Sequence, residues 1–214
     1  MAKREHIALF GGTFDPVHIG HLRSAIEVRE ALAADELCLL PNHQPPLRGA
    51  PGADSRQRLA MVEAAVAPEP GLNVDARELR RDEPSYTVDT LRELRGELGA
   101  GPALTVVIGS DAFNNLHHWQ QWRELFSLAH LLVLKRPGHP LSADDAVRDE
   151  VAPRRLAGPS QFAMAASGGF YVMELIQLPI SATDIRRRVA EGKSIRYLVP
   201  EAVAECIDQQ DLYR

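Results

Sequence analysis

Short apolar runs alternate with longer stretches of helical periodicity along almost all of this 214-residue chain. His6-Ile7-Ala8-Leu9-Phe10 has the length and apolar density of a strand buried on both faces, and 36–40, 72–75, 104–108, 131–135 and 172–178 read the same way. Between them, apolar residues recur three or four apart over 19–33, 55–66, 87–98, 120–128, 183–191 and 200–209, which predicts helices. Such alternation predicts an α/β fold whose parallel sheet is covered on both faces. Right-handed crossovers then put a ligand crevice at the carboxyl ends of the strands. Two stretches break the rhythm. Pro41-Asn42-His43-Gln44-Pro45-Pro46-Leu47-Arg48-Gly49 reads as a proline-stiffened loop at a strand exit. Residues 137–170, broken by Pro137, Gly138, Pro140, Pro153, Gly158 and Pro159, leave room for one short helix within 142–152. A connection that long is either a functional flap or a peripheral insertion.

Composition narrows the class without naming it. Hydrophobic residues at 45% and charged residues at 25% suit an ordinary globular domain. A net charge of −5 argues against non-specific nucleic-acid binding, which needs a basic surface. No apolar run approaches the ~20 residues of a membrane span, and the N-terminus leads into a strand with no apolar signal core. Cys38 and Cys206 lie far apart; Cys38, inside the run Leu37–Leu40, is expected to be a buried inert thiol. A reducing cytoplasm is the expected location.

Four groups of residues carry candidate chemistry. In Gly11-Gly12-Thr13-Phe14-Asp15-Pro16-Val17-His18-Ile19-Gly20-His21, two imidazoles three apart share one side of a helix that starts near Ile19. Gly11 and Gly12 are expected to let the chain turn and approach a ligand, and Gly20 leaves space beside both rings. Unpaired amides at the helix start would add their own donors. The set suits charge developing on a phosphoryl group; the bland reading is two surface histidines beside a turn. Zinc lacks an evident third ligand, so no metal ligands are assigned.

The second group, Ile180-Ser181-Ala182-Thr183-Asp184-Ile185-Arg186, reads either as a helix capped by Ser181 or as a phosphate site of hydroxyls, amides and an inward Arg186. Arg187 and Arg188 are expected in solvent. In the third, Gly109 offers bare backbone to a flat ring and Asp111 suits ribose hydroxyls, while Trp119 and Trp122 either stack on a base or fill the core. In the fourth, Ser85-Tyr86-Thr87-Val88-Asp89, Thr87 caps a helix whose N-terminus either does only that or reads a small carboxylate.

With these residues in view, the chain resembles the bacterial nicotinate mononucleotide adenylyltransferases, in the nucleotidyltransferase superfamily that shares an H-x-G-H signature. The likeness rests on G-G-T-F-D-P-V-H-I-G-H at 11–21, P-S-Y-T-V-D-T-L at 84–91, G-S-D-A-F with Trp119, K-R-P-G at 135–138 and I-S-A-T-D-I-R at 180–186. It implies a Rossmann-like core over 1–179 and a small helical C-terminal part over 180–214. It implies adenylyl transfer from ATP, with Mg²⁺, to the 5′-phosphate of nicotinate mononucleotide, yielding nicotinate adenine dinucleotide and pyrophosphate. A phosphate monoester is already largely anionic near neutral pH, so no general base is needed.

By the same resemblance, His18, His21 and Arg186 are catalytic. Gly11, Gly12, Thr13, Phe14, Gly20, Gly109, Asp111, Ile180, Ser181 and Thr183 meet ATP. Asn42, Arg48, Tyr86, Thr87 and Trp119 meet the mononucleotide. One departure stands out: the family loop often reads P-P-H-K, whereas Pro45-Pro46-Leu47-Arg48 replaces a polar residue by Leu47 and a point charge by a planar fork.

Three rivals remain in view: the same chemistry on another substrate (a nicotinamide mononucleotide or phosphopantetheine adenylyltransferase, or a cytidylyltransferase), an aminoacyl-tRNA synthetase fragment, and a non-catalytic nucleotide-binding module. Thr87 and Trp119 speak against the first. The absence of K-M-S-K-S and of a basic surface speaks against the second, and the intact histidines, Thr183 and Arg186 against the third. The expected partners are small molecules, with neither nucleic acid nor membrane; a homo-oligomer is compatible with the sequence.

Overall fold

In the computed structural model, which describes residues 4–43, 51–81, 84–135, 140–175 and 178–214, the first apolar run forms β1 (His6–Gly12), two residues longer than its pattern predicts. There follow α1 (Ile19–Leu32), β2 (Glu36–Pro41), α2 (Ser55–Val66), β3 (Leu72–Val74) and a 3₁₀ turn at Arg77–Arg80. The middle of the chain gives α3 (Thr87–Leu98), β4 (Ala103–Gly109), α4 (Ser110–Asn114), 3₁₀ turns at Leu116–His118 and Trp122–Glu124, α5 (Leu125–Leu128) and β5 (His130–Lys135). It continues through α6 (Asp145–Val151), 3₁₀ segments at Ala152–Arg154 and Pro159–Met164, β6 (Phe170–Glu174), α7 (Ala182–Ala190) and α8 (Glu201–Gln209).

The six strands form one sheet in the order β3-β2-β1-β4-β5-β6. β1 pairs with β4, β4 with β5 and β5 with β6, all in parallel. The expected parallel α/β architecture is therefore present. β4 and β5 are buried along nearly their whole length, as their Val/Leu/Ile-rich runs, with the buried Thr105 in β4, require of strands covered on both faces. α2 starts with a full capping box: Asp54 accepts from the Gln57 amide, and the Gln57 side chain accepts from the Asp54 amide.

Several boundaries differ from the pattern. The helix expected over 120–128 starts only at Trp122, after Gln121 in the left-handed region with φ 47°, and runs as a 3₁₀ turn directly into α5. The strand expected at 172–178 lies at 170–174, because it pairs residue for residue with β5 from Leu131↔Phe170 to Lys135↔Glu174 and ends with it. Within 142–152 a helix does form, capped by Asp144. α4 is too short to show periodicity. Cys38 is half-buried between the buried Leu37 and Leu39, not fully buried as expected, and neither cysteine forms a disulfide.

The chain divides into two compact units. One takes its described residues from Met1–Gly11, Glu27–Leu37 and Tyr86–Ile176, and the other from Gly12–Ile26, Cys38–Ser85 and Gln177–Arg214. Residues 180–214, expected to be helical, contain α7 and α8 and belong to the second unit.

Candidate active site

The second unit carries the histidines. Gly11 and Gly12 do not make the expected turn; both continue β1. The reversal comes at Phe14, whose φ of 48° places it in the left-handed region. Phe14 folds its ring back over Gly12, where a Cβ would lie 2.8 Å from the ring. That contact explains one glycine; beside Gly11 there is open space. Asp15-Pro16 follows with a cis peptide bond.

His18, buried, and His21, half-buried, stack with centroids 3.6 Å apart and planes 17° from parallel. Phe14 meets His21 edge-on at 5.1 Å. The His21 amide donates to His18 O at 2.9 Å and also lies 3.3 Å from His18 Nδ1. A Cβ at Gly20 would sit 3.1 Å from the His18 ring.

The start of α1 offers fewer donors than the sequence suggests. The Ile19 amide is taken by Leu198 O at 3.0 Å and the His21 amide by His18. Among the described residues the Gly20 amide has no acceptor. Thr13 Oγ1 and Asn42 Oδ1 are likewise buried without a hydrogen-bond partner among the described residues. Unpartnered buried polar atoms cost free energy, so each is a candidate ligand contact.

Asp15, Arg58, His43 and Tyr213 carry much of this geometry, and sequence reasoning assigned none of them a role. The fully buried Arg58 donates to Thr13 O at 2.7 Å and to His43 O at 3.4 Å, fixing both loops from beneath. Burial pushes its pKa down, opposed by the nearby charge of Asp15. Its signal was available: Arg58, Met61, Val62 and Ala65 lie on one stripe of α2, so Arg58 is on the buried face. Tyr213 had no local signal.

α7 is capped by Ser181, whose hydroxyl accepts from the Asp184 amide at 3.2 Å; the capping reading is correct. The amides of Ala182 and Thr183 have no acceptor among the described residues. Arg186 turns inward as expected and donates to Asp15 O at 2.6 Å, while Arg187 pairs with Asp184 in solvent. Arg188 is half-buried, its Nε on Ser194 O, and so is not the fully solvated residue expected. Ile180 is half-buried just before the cap.

The first unit holds the flat and polar surfaces. Thr87 is not the cap of α3 but its first residue; Tyr86 holds the cap position and makes no side-chain capping bond. The amides of Thr87 and Val88 therefore lack acceptors among the described residues, which suits a small anion better than a capped end would. Gly109 caps α4 with open space at its missing Cβ, and Asp111 is exposed in the first turn. The two tryptophans separate. Trp122 is buried with the Arg123 guanidinium 4.3 Å above its ring, whereas Trp119 is half-exposed. Arg48 and Leu47, and 136–138 of the K-R-P-G element, lie outside the described residues. No group of three or more His, Cys, Asp or Glu able to hold a metal occurs among the described residues.

A parallel α/β sheet with open amides at helix starts is the architecture of nucleotide-binding proteins. A profile of the cytidylyltransferase-like family matches residues 9–188. The chain belongs to that family. A Pseudomonas paraeruginosa relative named a probable nicotinate-nucleotide adenylyltransferase is 50% identical over 216 residues, covering 100% of this chain and 99% of its own. A Methylococcus capsulatus relative of the same name is 48% identical, covering 97% and 99%. The fold is that of the Plasmodium falciparum nicotinic acid mononucleotide adenylyltransferase solved with NaAD, with TM-score 0.72, 15% identity, and 98% and 97% of the two chains covered.

Proposed function

We propose that the protein transfers the adenylyl group of ATP to the 5′-phosphate of nicotinate mononucleotide. A phosphate oxygen forms a bond to the α-phosphorus of ATP while the bond from that phosphorus to the oxygen bridging to the β-phosphorus breaks. Nicotinate adenine dinucleotide and pyrophosphate are the products, a step of NAD biosynthesis. The observation that carries this reading is the stacked His18–His21 pair beside the open Gly20 amide and the unpartnered Thr13 hydroxyl. Full-length relatives at half identity carry the name of that activity.

In this reading His18 and His21 donate to the phosphoryl oxygens as charge builds there, and Arg186 supports the same charge. Gly11, Gly12, Phe14 and Gly20 shape the bed for the nucleotide phosphates, with Thr13 as a donor. Ile180, Ser181 and Thr183 meet the triphosphate through the start of α7. Gly109 and Asp111 meet adenosine. The open amides at Thr87, with Tyr86, read the nicotinate carboxylate, Trp119 stacks on its ring, and Asn42 and Arg48 complete the mononucleotide contacts.

Magnesium fits as part of the substrate. Hard cations take oxygen ligands, and the Asp15 carboxylate, the acid at this loop, is already engaged by two amides and the Tyr213 hydroxyl. We therefore assign the ion to the ATP complex. Two distant cysteines, neither in a disulfide, support a cytoplasmic location, and among the described residues no helix is long and apolar enough to cross a membrane. Residues 1–179 form the Rossmann-like core of this reading and 180–214 its helical C-terminal part, which brings Ser181, Thr183 and Arg186.

The test is pyrophosphate release from MgATP with nicotinate mononucleotide, run beside nicotinamide mononucleotide and phosphopantetheine. Fastest release with the nicotinate substrate is expected. Release with phosphopantetheine alone overturns the substrate assignment and keeps the chemistry.

A further inference from the structure

Asp15 sits at the centre of a cluster that ties Arg186 to groups with no role in the proposed chemistry. Its carboxylate, buried, accepts from the Gly52 amide at 2.7 Å, the Ala53 amide at 3.0 Å and the hydroxyl of Tyr213 at 2.7 Å. Arg186 Nη1 lies 3.5 Å from the same carboxylate and donates to the Asp15 carbonyl at 2.6 Å. Gly52 is tied to both partners: a Cβ there would come 3.3 Å from the Tyr213 ring and 3.4 Å from Arg186 Cδ. The phenol ring, the bare Gly52 backbone and the arginine stem thus pack together, with the carboxylate of Asp15 joining their polar ends. About one third of the Arg186 side chain stays exposed (34%) while this latch holds its Nη1 on Asp15.

We propose that Tyr213, the penultimate residue, is a positioning residue that acts through Asp15 to aim Arg186 at the phosphates of ATP. The inference rests on the proposed adenylyl transfer for its meaning and on the Asp15 contacts for its geometry. Burial and the bond to Asp15 push the Tyr213 phenol up, so it remains a donor throughout the neutral range. An aspartate with three donors on its oxygens has a fixed orientation, and the arginine bonded to its carbonyl and ion-paired with its carboxylate at 3.5 Å inherits that orientation. Neither Tyr213 nor Asp15 is required to touch substrate.

The test is a double-mutant cycle of Tyr213→Phe, which removes one hydroxyl, and Arg186→Lys, read in turnover and in MgATP affinity by calorimetry. Alone, Tyr213→Phe is expected to lower kcat by on the order of ten- to a hundred-fold, leaving KM for the mononucleotide and the melting temperature near wild type. In the Arg186→Lys background the same change is expected to do little, because the group it aims is gone. Equal losses in both backgrounds, or a fall in melting temperature with unchanged kcat, overturn the proposal and make Tyr213 a packing residue. If the wild type releases no pyrophosphate with nicotinate mononucleotide, the proposed function fails. The latch is then judged on MgATP affinity alone: coupling between the two positions supports it, and independent effects or no MgATP binding overturn it.

Discussion

The His18 imidazole lies flat against that of His21, 3.6 Å between centroids, and Phe14 closes the stack edge-on at 5.1 Å from His21. Two donors are held in one orientation before any substrate arrives. Preorganised donors of this kind typically contribute on the order of 10²–10³ in kcat each. His18→Ala and His21→Ala are each expected to cut pyrophosphate release by about that factor, with the melting temperature barely moved. Turnover within a few-fold of wild type would remove that ring from the mechanism.

Gly11 and Gly12 separate two roles that look alike in sequence. A methyl at Gly12 meets the Phe14 ring at 2.8 Å, while one at Gly11 meets nothing. Gly12→Ala is expected to destabilise the fold by about 1–3 kcal/mol, as overpacking does, and to loosen the histidine stack. Gly11→Ala should stay within about 0.5 kcal/mol of wild type. Urea unfolding of the two variants checks this; equal stabilities would mean that Phe14 moves aside freely.

The tryptophans divide in the same way. Trp119 is half-exposed and Trp122 buried. Trp119→Ala is expected to raise KM for the mononucleotide, by the equivalent of roughly 1–3 kcal/mol if stacking there resembles base–aromatic platforms, with stability little changed. Trp122→Ala should instead cost about 3–5 kcal/mol of stability. A reversed pattern in steady-state kinetics and unfolding would exchange their roles.

A titration of stability follows from His130. The ring is buried; Nδ1 accepts from the Gly169 amide at 2.8 Å and Nε2 donates to Ala165 O at 2.9 Å. Burial is the main cause of a pKa below the ordinary 6.5, only partly offset by bonds to backbone carbonyls, and the charge of Arg95 lowers it further. As pH falls below about 6.5, the unfolded chain takes up a proton here that the folded chain refuses, so stability falls with pH. The contribution is fully present above that value and is lost as pH descends through the folded pKa. Urea midpoints at pH 7.5 and 5.5 are expected to drop in the wild type and to drop less in His130→Gln. Equal slopes in both proteins would assign the acid sensitivity elsewhere.

Much of the fold is legible because its central strands are apolar runs: β4 and β5 are rich in Val, Leu and Ile, with Thr105 the one polar residue inside β4. Boundaries escaped where tertiary pairing sets them, as at β6, whose limits copy those of β5. The H-x-G-H and I-S-A-T-D-I-R elements were readable since each packs its donors into one local stretch. The supports were not. Asp15 and Tyr213 are 198 residues apart, and nothing near Tyr213 marks its hydroxyl for a carboxylate at the other end of the chain. The amides at the start of α1 were over-counted for a similar reason, since Leu198 takes one of them from far along the chain.

The most direct test of the central claim is phosphorus NMR of the protein with MgATP and nicotinate mononucleotide. The account predicts pyrophosphate and one new diphosphate that joins the mononucleotide phosphorus to the α-phosphorus of ATP, and loss of both signals in His18→Ala. ADP with a transferred or free phosphate would place the attack on the γ-phosphorus and contradict it, as would unchanged spectra with the wild-type protein.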